Sequence, residues 1–114
     1  MAWLLSEARV LASADLAESR AERAKGLLGV DHIEGALVIP RCRWVHTIGM
    51  RFDIDVAYVD ATNVVIKTDT IKRHRMPLPV RRAQMVIEAR AGAFERWDLR
   101  VGDPVEIRLT DPAV

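Results

Sequence analysis

The sequence predicts an α+β fold that is mainly β: a small antiparallel barrel-like or two-sheet domain with one packed helix near the N-terminus. Three observations predict it. Several short runs, among them residues 54–58, 85–90 and 105–109, alternate their side chains with the period of a strand. Only one segment, residues 15–28, carries apolar residues at helical spacing. Strands and helices do not alternate regularly, which argues against a doubly wound parallel sheet.

The elements follow in order. Ala8, Val10 and Ala12 alternate against Arg9 and predict a short strand. Asp15-Leu16-Ala17-Glu18 reads as a capping box with Asp in the cap position. Ala17, Ala21, Ala24 and Leu28 then form one stripe, Arg23 and Lys25 fall in the last turn, and Gly26 is the expected stop. The apolar run 36–39 ends at Pro40. Ile54, Val56 and Tyr58 alternate against Asp55 and Ala57, residues 60–63 supply turn chemistry, and a β-branched run restarts at Val64, so this pair predicts a hairpin. Met76-Pro77-Leu78-Pro79 predicts an extended loop, because each proline removes a ladder donor. Met85, Ile87 and Ala89 alternate with Val86, Glu88 and Arg90 until Gly92 breaks the run. Residues 93–98 fit one short helical turn, and Val105, Ile107 and Leu109 close the chain as a strand.

The 114 residues suit a single domain spanning 1–114, and 50% hydrophobic residues suffice for one core. One cysteine forms neither an internal disulfide nor a cysteine zinc cluster. The apolar start, Met-Ala-Trp-Leu-Leu, is short for a signal sequence, and no run approaches the roughly 18 apolar residues of a membrane helix. The expectation is a soluble cytoplasmic protein without membrane contact. A formal net charge of +1 argues against a nucleic-acid-coating polycation. That total hides a division: net −2 over residues 1–40, +5 over 41–82 and −2 over 83–114. Arginine supplies 14 of the 17 basic residues, and its planar fork suits carboxylate or phosphate.

Residues 41–60 read RCRWVHTIGMRFDIDVAYVD. This segment resembles the signature of the domain of unknown function 192 family, at Cys42, His46, Thr47, Gly49, Met50, Arg51, Phe52, Ile54, Asp55 and Asp60. Three further blocks resemble the family in the same order: residues 23–29 around Gly26, Val86-Ile87-Glu88 with Ala91-Gly92, and Val101-Gly102-Asp103. The resemblance spans roughly residues 8–108. Asp53 stands where many relatives have Pro, and Trp44 where a small polar residue is common. The resemblance implies a compact, largely β fold and supplies no reaction, substrate or cofactor.

Three functional readings follow: a binding module, an enzyme, and a purely structural role in which the signature residues simply specify the fold. The first is a non-catalytic binding or accessory module, whose surface joins residues 41–55 to the loop 72–82. Its candidate binding residues are Arg43, His46, Arg51, Asp55, Arg73, Arg75, Arg81 and Arg82, with no acid between Asp69 and Glu88. The expected partner is an acidic protein surface or a small anion; few aromatics for base stacking argue against nucleic acid. Gly26, Thr47, Met50, Glu88, Gly92, Gly102 and Asp103 form a candidate structural signature. The second reading is an enzyme with a site around Cys42, His46, Asp55 and Glu88. Arg41 and Arg43 would favour the thiolate of Cys42, and His46 would serve as its base. His46, Asp53 and Asp55 lack a familiar metal-ligand spacing, and the sequence implies neither metal nor cofactor. Glu88 alternates to the face opposite Ile87 and is expected to be solvated or paired with Arg23 or Arg51.

Overall fold

A curled sheet dominates the chain. The computed structural model describes residues 2–110. Its elements are β1 (Ala2–Ser6), β2 (Arg9–Leu16), α1 (Arg20–Lys25), β3 (Ala36–Pro40), β4 (Ile54–Val59), β5 (Val65–Ile71), β6 (Met85–Arg90), α2 (Ala93–Trp97) and β7 (Glu106–Leu109). The strand order is β5-β4-β6-β3-β2-β1-β7. All of β4 is buried, as befits an apolar strand covered on both faces.

The mainly β expectation holds, with three refinements. The sheet is mixed, because β2 and β3 run parallel while the other pairs are antiparallel. Parallel neighbours require a crossover, and α1 lies within it. The seven strands belong to one sheet that is not closed into a barrel. It curls enough for the start of β5 to meet the approach to β7: Val65 N donates to Asp103 O at 2.9 Å and Gly102 N to Val65 O at 2.7 Å. Gly102 and Asp103 thus tie one corner of the curl. The helices number two among the described residues, since the turn expected at 93–98 is α2.

The helix expected over 15–28 is shorter. Asp15 and Leu16 pair with Leu37 and Val38 in the β2–β3 ladder, so the chain is still a strand there. The capping box falls at Ser19, whose Oγ accepts from Glu22 N while Glu22 Oε1 accepts from Ser19 N, each at 3.0 Å. At the N-terminus, the short strand expected near Ala8–Ala12 belongs to a hairpin of β1 and β2. Glu7 and Ala8 turn it with φ of 51° and 66°. Such turns normally use Gly or Asn, which is why the sequence does not announce this one.

Each face of the sheet carries a core. Ala57, Val59, Ile87 and Ala89 pack with Leu4, Val38 and Phe94 on one face. Ile54, Val56, Tyr58 and Val86 pack with Leu27, Ile39, Val45 and Met50 on the other. The pattern assigns Asp55 to the first face and Glu88, which pairs with Val56 across the ladder, to the second. Asp55 is 4% exposed, and both of its oxygens are hydrogen-bonded. Its Oδ2 accepts from Gly92 N at 3.0 Å and Phe94 N at 3.1 Å, and its Oδ1 accepts from Thr70 Oγ1 at 2.7 Å. One side chain therefore fastens β4 and β5 to the start of α2.

Replacing Asp55 with Asn puts an amide N–H group among these donors. We expect Asp55→Asn to lose about 2–4 kcal/mol in urea unfolding. A loss below about 0.5 kcal/mol, the level of an ordinary surface change, would contradict this role.

Candidate functional site

β6 carries Glu88 between Leu37 of β3 and Val56 of β4. This is the apolar second face, and Glu88 is only 2% exposed. The expectation of a solvated or Arg-paired carboxylate is therefore corrected. Alternation gave the right face, but the crossover and residues 41–50 cover that face. Arg51 instead pairs with Asp31, and Arg23 Nη1 donates to Glu18 O at 2.7 Å. Glu88 Oε1 has no hydrogen-bond partner.

A cavity of about 320 Å³ opens beside Glu88. The end of α1 and residues 26–28 form one wall, Ile39 of β3 another, and Cys42, Trp44, Val45, His46 and Met50 the third. Gly26 matters here for what it lacks. A Cβ at Gly26 would lie 3.3 Å from Glu88 Oε1, and its φ of 51° disfavours any other residue. The absence of a side chain at Gly26 thus lets the end of α1 approach the carboxyl group closely.

Thr47 holds the third wall in place. It is fully buried; its Oγ1 donates to Lys72 O at 2.6 Å and accepts from Arg75 N at 2.8 Å. His74 N donates to Thr47 O at 2.8 Å, Val80 N to Arg43 O at 2.8 Å and Trp44 Nε1 to Pro77 O at 2.7 Å. The two segments expected to share a surface, 41–55 and 72–82, are stitched together by these bonds. Arg43, Arg73, Arg75, Arg81 and Arg82 are exposed along them, with Arg73 N donating to Asp53 Oδ1 at 2.9 Å.

The candidate enzyme residues divide. Cys42, His46 and Glu88 line the cavity, whereas Asp55 is bound to backbone amides and Thr70 on the other face. Asp53 bonds to Arg73, so His46, Asp53 and Asp55 make no common ligand set. Burial pushes the Cys42 thiol up, with Glu88 adding to the rise, while the Trp44 backbone and Arg23 oppose it. Sγ donates to Trp44 O at 3.2 Å. The thiolate expected from Arg41 and Arg43 is thus disfavoured: both guanidinium-bearing neighbours are exposed, while the thiol turns inward. His46 lies 5.4 Å from Trp44, ring centre to ring centre, and its buried Nδ1 has no partner. Gly92 serves Asp55, and Met50 packs in the second core. Sequence reasoning missed Trp44 as a wall and Gly26 as the neighbour of Glu88; the Gly after Lys25 signalled a helix stop but not a contact 62 positions away.

The model of the family DUF192, described as uncharacterized ACR, matches residues 4–107. A UPF0127 protein of Thermococcus gammatolerans is 30% identical over 103 residues, covering 85% of this chain and 67% of that protein. A UPF0127 protein of Thermococcus kodakarensis is 31% identical over 102 residues, covering 84% and 65%. The chain thus spans about two thirds of the length of these relatives. Two crystal structures share the fold, each with a TM-score of 0.78 over 92% of this chain. One is a protein of unknown function from Novosphingobium aromaticivorans, 20% identical and 82% covered. The other is described as a putative transcription regulator from Sinorhizobium meliloti, 16% identical and 90% covered.

Burial raises the Glu88 pKa from an ordinary 4.5 to about 7. The folded chain therefore holds this proton more tightly than the unfolded chain does. Stability from Glu88 is intact below pH 4.5, falls as the pH rises towards 7 and then levels off. The loss amounts to roughly 3 kcal/mol. Urea midpoints at pH 5 and pH 8 should separate widely in the wild type and much less in Glu88→Gln. Equal separations in the two proteins would contradict an unpaired, buried carboxyl group.

Proposed function

The chain belongs to the DUF192 family, and on that premise we propose that it is a non-catalytic binding module with a small-ligand site in the cavity beside Glu88. The exposed arginines of residues 43 and 73–82 form the second part of the reading: they meet an anionic group on a partner. The observation that carries the proposal is the buried, unpartnered Glu88 Oε1. A buried acceptor without a donor costs about 1–3 kcal/mol or more. A fold that keeps such a group at a cavity wall is arranged for a donor that arrives with a ligand. The unpartnered His46 Nδ1 adds a second polar anchor in the same cavity.

The chemistry of the lining supports binding over catalysis. A nucleophilic Cys42 would need a lowered thiol pKa, and burial acts in the opposite direction. Asp55, the proposed fourth member of an enzyme site, has its oxygens occupied elsewhere. One observation favours the enzyme reading: Glu88, at about 7, is in the range of a general acid or base. It lacks a hydrogen-bonded group with which to exchange a proton.

A fragment library screened by ¹⁵N–¹H NMR tests the site. Bound fragments are expected to shift the amides of Gly26, Cys42, His46 and Glu88, and to do so equally when Arg73, Arg75, Arg81 and Arg82 are changed to Ser. The Ser variant should lose partners captured from a native lysate. Shifts scattered over the surface would remove the cavity from the reading, and an unchanged partner set would remove the arginines.

A further inference from the structure

Resting on that reading, we infer that the cavity selects an organic ammonium: a ligand with an apolar body whose cationic end meets Glu88. Three features of the wall converge on this class. First, the carboxyl group has no cation of its own. Among the described residues no ion pair includes Glu88, although Arg23 and Lys25 line the same cavity. A buried carboxylate needs a paired charge or bonded donors, and a primary ammonium brings both.

Second, the cavity offers an aromatic surface. Trp44 lines it, and its indole N–H is held by Pro77 O, which fixes the ring. His46 stands tilted against that ring. A cation beside a tryptophan face is attracted by the negative face of the ring. Third, the rest of the lining suits hydrocarbon: Leu27, Ile39, Val45 and Met50 are all buried apolar residues. A bare metal ion finds too few oxygen donors here, since among the described residues no three His, Cys, Asp or Glu side chains cluster. Arg23 and Lys25, on the helix wall, favour a ligand whose far end is anionic.

Four six-carbon probes separate the possibilities: 6-aminohexanoate, hexylamine, 1-hexanol and hexanoate. Each is titrated into the full chain at pH 7.5 and followed at the Gly26, Cys42 and His46 amides. Both amines should bind saturably, 6-aminohexanoate more tightly than hexylamine, and both more tightly than hexanol or hexanoate. Glu88→Gln should weaken both amines by about tenfold or more and leave hexanol unchanged. Trp44→Leu should weaken the amines by about two- to fivefold. Hexanol or hexanoate binding as tightly as the amines would overturn the ammonium and leave the cavity reading standing. Amine affinity undiminished in Glu88→Gln would also overturn it. Silence of all four probes at these amides overturns the ammonium too, and the fragment screen then decides the cavity reading separately.

Discussion

A carboxyl group taken out of water must be paired, hydrogen-bonded or neutralised. The sheet meets this constraint twice, on adjacent central strands, and resolves it in opposite ways. Asp55 on β4 receives two backbone N–H groups and a threonine hydroxyl, and so holds α2 against one face. Glu88 on β6 faces the other side, and its Oε1 receives nothing. The first carboxyl group is part of the fold's fastening. The second lies beside a cavity, with Gly26 close against it because that residue carries no side chain.

The cavity is walled by chain that is fixed in place. The parallel β2–β3 pair requires a crossover, and the crossover carries α1 and Gly26 over the second face. Thr47 binds residues 41–50 to the loop beyond β5 and so supports Trp44 and His46 as the opposite wall. The basic loop thereby contributes to the cavity from behind, through its backbone, while its arginine side chains remain outside.

Much of the fold is legible in the sequence because strand periodicity is a local signal. The apolar alternation in β4 and β6, the turn at 60–63 and the prolines at 77 and 79 all act where they stand. The helix starts later than its capping chemistry suggests, because Asp15 is held in a ladder with Leu37 from a distant strand. The β1–β2 hairpin was hidden because Glu7 and Ala8 turn with positive φ despite their side chains. At the site, alternation gives the face of Glu88 but not what covers it. Burial comes from the crossover and from residues 41–50, through contacts that no local pattern encodes. For the same reason Cys42, flanked by two arginines in sequence, responds to burial and to Glu88 in space.

In the ligand-free protein Glu88 is buried and its Oε1 has no partner. The direct measurement is the pH titration of its side-chain carboxyl carbon by ¹³C NMR, assigned by comparison with Glu88→Gln. The expected midpoint is about 7, set by desolvation. A midpoint near the ordinary 4.5 would mean that water or a donor already satisfies the group, and would contradict this unpartnered burial.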